Sequence, residues 1–157
     1  IELNKSEIKK LEQAAYQGLD QKYLNFFQKH PDSSEGIRAA VYAASFSLKE
    51  KNYSAAISAL EKATKHISKN SLFYDQIKEL YISILTETKD YDKALAELDQ
   101  IIAEKSKTKK AKYLLTKGQV LIATDKKEEA KKIFEKLLNE HKGSEEEIKA
   151  KALRALL

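Results

Sequence analysis

The hydrophobic and polar positions of the chain follow the period of an α-helix over most of its length. Apolar side chains recur every three or four residues, and Gly18, Pro31 and Gly143 interrupt the periodic segments. The pattern predicts an all-α protein of about nine helices, near residues 4–17, 20–29, 34–51, 54–67, 71–88, 91–105, 109–124, 127–141 and from 144 onward.

Three of these helices begin with a capping-box pattern, in which a short polar residue precedes a glutamate by three positions. The pairs are Asn4 with Glu7, Asp32 with Glu35 and Ser144 with Glu147, so we expect Asn4, Asp32 and Ser144 to cap their helices. The last helix is expected to cover the end of the core with an apolar stripe, with Leu157 beside it: Ile148, Ala152, Leu153 and Leu156.

A short motif recurs three times along the chain. Its copies lie at residues 52–60, 90–98 and 125–134, and they align on Ala56, Ala94 and Ala130, which are 38 and 36 residues apart. Each copy lies between two helical segments, so the repeating unit is predicted to be a helical hairpin.

The residues around the aligned alanines explain why two helices would pack there. A large apolar residue follows four positions later, on the same helix face: Leu60, Leu98 and Phe134. Twelve positions earlier, on the first helix, two of the three residues are small: Ala44, Ile82 and Gly118. The first helices also carry polar residues at positions that are normally apolar, which makes the repeats degenerate: Ser47, Lys78 and Lys117.

This hairpin pattern resembles the tetratricopeptide family over residues 37–142. The resemblance implies a helical-hairpin solenoid with a C-terminal capping helix. It suggests one domain over 1–157, comprising an N-terminal helical pair (1–31), three degenerate repeats (32–142) and a capping helix (143–157). It also implies a concave groove that binds a peptide or helix, lined by the first helices at Arg38, Val41, Tyr42, Ser45, Lys49, Gln76, Glu79, Leu80, Ser83, Glu87, Lys112, Leu115 and Gln119.

Some of these positions narrow the range of ligands that the groove is expected to bind. Val41, Glu79 and Leu115 stand where family members that clamp a C-terminal carboxylate have Lys or Arg, so capture of a carboxylate tail is not expected. The segment at 34–50 is apolar all round, which fits either a helix packed on both sides or one whose Val41, Tyr42 and Phe46 partly face a partner. In the next first helix, Tyr74 and Leu80 are the expected groove-facing residues.

No residue pattern in the sequence indicates catalysis, a cofactor or a metal. The chain has no cysteine, its four glycines never cluster, and no serine lies in a nucleophile motif. His30, His66 and His141 each fall near the end of a second helix, where we expect them to cap the helix. We therefore predict a protein that is not an enzyme.

The charge of the chain does not indicate nucleic-acid binding. Lysine and arginine number 29 against 24 acidic residues, for a net charge of +5, but Arg38 and Arg154 are the only arginines. Nucleic-acid binding surfaces favour arginine and interleaved aromatics, and the longest basic stretch, at 105–112, contains no aromatic residue.

Within the tetratricopeptide class, residues 22–44 with their His-Pro-x-Ser segment, and the third repeat at 117–121 and 126–134, resemble one bacterial family. This is the membrane-anchored periplasmic ancillary subunit of the Sec translocon. The resemblance implies a non-enzymatic scaffold that associates with the translocon and a periplasmic chaperone. Since the chain begins at Ile1 and contains no Met, we expect an N-terminal segment to anchor it to the inner membrane, on the periplasmic side.

Two alternatives remain open. One is the periplasmic tetratricopeptide protein that coordinates cell division with envelope assembly, although it repeats the His/Tyr-Pro-x-Ser pattern after every hairpin and the later hairpins here lack Pro. The other is a cytoplasmic regulatory repeat protein.

Overall fold

A computed structural model describes residues 17–157, apart from the side chains of Leu72, Lys107 and Thr108. This part of the chain forms eight helices and no strands: α1 (Leu19–Lys29), α2 (Ser34–Lys49), α3 (Tyr53–His66), α4 (Leu72–Glu87), α5 (Tyr91–Glu104), α6 (Lys107–Ala123), α7 (Lys127–Glu140) and α8 (Glu145–Ala155). The all-α fold is confirmed, and each of these helices falls within two residues of its predicted bounds. The helix predicted near residues 4–17, with its predicted cap at Asn4, lies outside the described residues.

The chain divides into two compact units, Ile1–Tyr81 and Ile82–Leu157. In the first unit, α2 packs against both α1 and α3. In the second unit, α6 packs against α5, α7 and α8, and α8 also packs against α7. Among the helices of residues 17–157, none is both long and apolar enough to cross a membrane.

The turn inside each hairpin has the same backbone geometry in all three repeats. One non-glycine residue adopts a left-handed conformation, with φ of 58° at Lys51, 63° at Lys89 and 58° at Asp125. The amide of the next residue then donates to the carbonyl five residues earlier, at 2.8 Å from Asn52 to Ser47. The equivalent bonds run from Asp90 to Leu85 and from Lys126 to Leu121. This closure satisfies carbonyls that the end of a helix leaves free, and it fixes where the second helix starts.

The packing predicted at the aligned small residues is confirmed. Ala56, Ala94 and Ala130 are fully buried, as are the large residues four positions later: Leu60, Leu98 and Phe134. In the third hairpin the two helices approach so closely that a Cβ atom at Gly118 would overlap the Phe134 ring. The third hairpin therefore requires glycine on one helix because an aromatic ring occupies the space on the other.

The polar residues of the first helices have specific roles in packing. The Tyr81 hydroxyl donates to Glu61 Oε1 at 2.6 Å, which ties α4 to α3. Lys117 donates to Asp99 and ties α6 to α5 in the same way, and Glu61 and Asp99 occupy equivalent repeat positions. Lys78 is buried, with its Nζ 5.8 Å from the centre of the Tyr74 ring. The departures from an apolar pattern are thus compensated by polar or cation–π contacts.

The predicted cap at Asp32 is wrong. Ser33 caps α2, with its hydroxyl oxygen accepting from the Gly36 amide at 2.9 Å, while Asp32 bonds His66 Nδ1 at 2.9 Å. The predicted cap at Ser144 is confirmed, since its side chain accepts from the Glu147 amide.

The predicted apolar stripe of the last helix is confirmed at Leu153, with Leu157 beside it, and is wrong at Ile148, Ala152 and Leu156, which are exposed. Ala150 is its buried residue, and Leu153 and Leu157 pack beside it on the core of the second unit. Ile148 and Leu156 are instead exposed. The helix carries apolar residues on two faces, and the face with the small Ala150 packs inward because it allows α8 to approach α6 and α7.

Gly118→Ala should lower the free energy of unfolding by about 1–3 kcal/mol, because the new methyl overpacks against Phe134. The double variant Gly118→Ala/Phe134→Leu should recover part of this loss, since leucine vacates ring volume. Urea unfolding of the single and double variants measures both effects. Unchanged stability in Gly118→Ala would contradict the close approach.

Ala94→Glu should unfold the second hairpin, because it places an unpaired carboxylate at a fully buried helix contact. Ala96→Glu, two residues along α5 on its exposed side, is the matched control and should leave the melting curve unchanged. The melting curves of both variants, measured by circular dichroism, test the repeat alignment. The alignment is wrong if the two melting curves coincide.

Candidate functional site

The groove residues predicted on α2 are accessible to different degrees. Tyr42 is 52% exposed, and Arg38 and Lys49 are exposed as well. Val41 and Ser45 are half-buried, and the Ser45 hydroxyl donates to the Val41 carbonyl at 2.9 Å. The outer face of α2 therefore presents one large aromatic side chain between two cations.

Most of the groove residues predicted on α4 and α6 are exposed. On α4, Gln76, Ser83 and Glu87 are exposed, whereas Glu79 and Leu80 are half-buried. On α6, Lys112 and Gln119 are exposed.

Two residues expected to face a partner are buried. Leu115 is only 7% exposed and belongs to the core of the second unit, because α6 is covered by three neighbouring helices. Tyr74 is buried too, and the adjacent Phe73 is the exposed aromatic of α4, at 41%. Both expectations are wrong because these helices carry apolar residues on more than one face, and packing against neighbouring helices decides which of them are buried.

The first unit contains an open groove of about 430 Å³ between α1 and α2. Its walls combine aromatic, aliphatic and charged side chains: Leu19, Lys22, Tyr23 and Phe26 from α1, and Glu35, Arg38, Ala39 and Tyr42 from α2. Phe26 is 44% exposed, so an aromatic side chain stands exposed on each wall. A groove of this size accommodates a few side chains of a bound peptide or helix.

Stacked rings hold the groove in shape. The Tyr23 ring lies 5.3 Å from the Tyr42 ring at 46° and 5.7 Å from the Phe46 ring in a parallel stack. These distances are typical of favourable aromatic pairs. The three rings form a row in the order Tyr42, Tyr23 and Phe46, and Lys49 Nζ lies over its Phe46 end, 5.5 Å from the ring centre. Because Tyr42 rests on a ring of the neighbouring helix, it is positioned before any partner arrives.

The rim of the groove is basic. Arg38 bonds Glu35 at 3.2 Å, and the Ser34 hydroxyl donates to the same carboxylate at 2.9 Å. Hydrogen bonds from its own backbone amide and from Ser34, together with the Arg38 charge, hold the pKa of Glu35 below its usual range. Among residues 17–157, the part of the chain that the structure describes, Glu35 is the sole acidic residue lining the groove, against Lys22 and Arg38. The groove therefore favours a ligand with apolar side chains and a flanking carboxylate.

The sequence interpretation missed the α1 wall. No groove residue was predicted on α1, although Leu19, Tyr23 and Phe26 recur there at helical spacing beside the buried Phe27. The signal in the sequence that could have identified this wall is a second apolar stripe on α1, beside the stripe that faces the core.

The three histidines lie at helix ends, as predicted, but the expected cap at His66 is wrong, because Ile67 is the cap residue and His66 Nδ1 bonds Asp32. His30 and His141 are the residues that follow α1 and α7, and His66 is the last residue of α3. Within residues 17–157, no three His, Cys, Asp or Glu side chains cluster closely enough to hold a metal ion.

A family model described as a tetratricopeptide repeat-like domain matches residues 4–156 of the chain. A search of curated proteins and a search of solved structures each find no match.

Proposed function

Since this chain belongs to the tetratricopeptide repeat-like domain family, we propose that it is a non-enzymatic scaffold that binds a partner protein through the groove between α1 and α2. Domains of this family generally bind other proteins. The observation that carries the proposal is the pair of exposed aromatic side chains, Phe26 and Tyr42, on the two walls of an open groove.

The energetics favour binding at these two rings. Covering a large apolar side chain contributes about 1.5–3 kcal/mol, and aromatic residues are over-represented among the anchors of protein interfaces. The Tyr42 ring already rests on the Tyr23 ring, which in turn stacks on Phe46, so little side-chain entropy is lost when a partner binds.

The basic rim narrows the partner to a segment with apolar anchors and an adjacent carboxylate. A carboxylate within reach of Lys22 and Arg38 gains charge-assisted hydrogen bonds at the edge of the groove. Such rim contacts mainly raise the association rate and select among partners. The exposed residues predicted on α4 and α6 are not needed for binding at this groove and remain a prediction, from which the buried Leu115 is excluded.

We further propose that the scaffold acts in a bacterial envelope complex, beside the Sec translocon and a periplasmic chaperone, and is anchored on the periplasmic side of the inner membrane. The support is the resemblance carried by the His-Pro-x-Ser segment at 30–33 and by residues 117–121 and 126–134. The exposed groove provides a surface for such a partner.

Tyr42→Ala should weaken capture of translocon subunits about tenfold or more, because it removes a preorganised aromatic anchor. Phe73→Ala is the matched control, since Phe73 is an aromatic residue of similar exposure outside the groove. Quantitative co-purification from envelope extracts of the membrane-anchored protein measures both. If the two variants capture equal amounts of translocon subunits, the groove is not the binding site. If the wild type captures no translocon subunit, the translocon assignment is wrong.

Leu80→Glu tests whether the contact extends to α4. The half-buried Leu80 lies on the predicted binding face, and a carboxylate there should reduce capture while helicity is retained. If Leu80→Glu captures as much partner as the wild type does, the binding surface is restricted to α1 and α2.

A further inference from the structure

The turn from α1 into α2 has the same geometry as the turn from α7 into α8. His30 and His141, the residues that follow α1 and α7, have φ and ψ of −135°, 53° and −129°, 44°. Three residues later, the amides of Ser33 and Ser144 donate to these histidine carbonyls at 3.2 and 3.3 Å, and each serine caps the helix that follows. The helix pairs α1–α2 and α7–α8 are therefore equivalent parts of two repeats, with residue numbers that differ by 111.

This equivalence matches the walls of the groove to the core of the second unit. The residues that correspond to Tyr23, Phe26, Ala39 and Tyr42 of the groove all belong to one buried cluster or pack against it: Phe134, Leu137, Ala150 and Leu153. Phe134, Leu137 and Ala150 have no exposed surface. In the groove, by contrast, Phe26 is 44% exposed and Tyr42 is 52% exposed. The groove therefore exposes side chains at positions that the other repeat buries.

Helix α6 covers this cluster in the second unit. It packs against both α7 and α8. Its residues Leu114, Leu115 and Leu121 belong to the same buried cluster. The groove between α1 and α2 is therefore the equivalent of a site that the first helix of a repeat fills.

The chain itself supplies a segment in the position of α6. Helix α6 leads into α7 through a turn whose left-handed residue is Asp125. A left-handed Gly18, with φ of 72°, likewise stands directly before α1. The residues that precede Gly18 thus hold the same place along the chain as α6, and the family match over residues 4–156 includes them.

We propose that residues 4–16 occupy the groove in the way that α6 occupies the equivalent site, and that a partner binds there only when it displaces them. This proposal concerns the regulation of the groove and rests on the proposed function. A segment tethered to α1 competes at a high effective concentration. The apparent affinity for the partner therefore falls with the fraction of molecules whose groove is open.

The composition of this segment suits the groove. Ile8, Leu11 and Ala15 recur at intervals of three and four residues, so a helix would present them as one apolar stripe. Glu7 and Glu12 flank this stripe on a helical projection and provide carboxylates for the basic rim of the groove. The lysines of the segment lie further round the projection from the stripe: Lys5, Lys9 and Lys10.

Hydroxyl-radical footprinting of the wild-type chain tests whether the groove is covered. Phe26 in the groove and Phe73 outside it have nearly equal exposure, 44% and 41%, so an open groove predicts equal oxidation of the two rings. The proposal predicts that Phe26 is oxidised at least about threefold more slowly, because a covered ring reacts only when the segment opens locally. Equal oxidation rates would overturn the proposal and leave the proposed function untouched.

The double variant Ile8→Glu/Leu11→Glu should abolish the protection of Phe26, because carboxylates on the stripe oppose its burial. Lys9→Glu is the matched control, since it changes the net charge by the same amount on the opposite side of the predicted helix, and it should keep Phe26 protected. The buried Phe27 of the same helix reports that α1 and α2 remain folded. Protection that survives the double variant would show that something else covers the groove, and loss of protection in Lys9→Glu would contradict the proposed stripe.

Capture of a translocon subunit by the membrane-anchored protein tests the regulation. The double variant should capture at least about threefold more of the subunit than Lys9→Glu does, because more molecules have an open groove. Equal capture would show that residues 4–16 do not regulate binding. If footprinting shows a covered groove but Tyr42→Ala captures as much as Phe73→Ala, the proposed function fails and the covering of the groove stands.

Discussion

The close approach of two helices at a small residue is the constraint on which each hairpin depends. Ala56, Ala94 and Ala130 have no exposed surface, and at the third hairpin Gly118 leaves room for the Phe134 ring. Interiors packed this tightly do not admit an extra methyl without a shift of the backbone. The spacing of these residues along the sequence therefore sets the lengths of the helices and the positions of the turns.

Around this contact the chain tolerates considerable variation. Three non-glycine residues, Lys51, Lys89 and Asp125, accept a left-handed backbone that costs about 1–2 kcal/mol each. Polar residues occupy normally apolar positions where a neighbouring side chain offers a favourable contact, as Asp99 does for Lys117 and the Tyr74 ring does for Lys78. The hairpin geometry is kept while the identity of the residues around it drifts, which explains why the repeats look degenerate in sequence.

The sequence predicted the helices well because helical periodicity and capping residues are local signals, and the alanine spacing predicted the hairpins. It predicted the exposed faces less well. Leu115, Tyr74 and Ile148 were each assigned to the wrong side of a helix with apolar residues on two faces, and only packing decides which face turns inward. The sequence predicted one wall of the groove, through Arg38 and Tyr42 on α2. It did not predict the second wall, because that requires knowing that α1 packs beside α2.

The proposed function depends on one surface, the aromatic groove that α1 and α2 form together. Site-specific photo-cross-linking in the envelope tests it most directly, with the cross-linking amino acid placed at Phe26 inside the groove and, in a second strain, at Phe73 outside it. The account predicts a cross-linked translocon subunit from position 26 and none from position 73. A partner captured equally from both positions, or only from position 73, would contradict it.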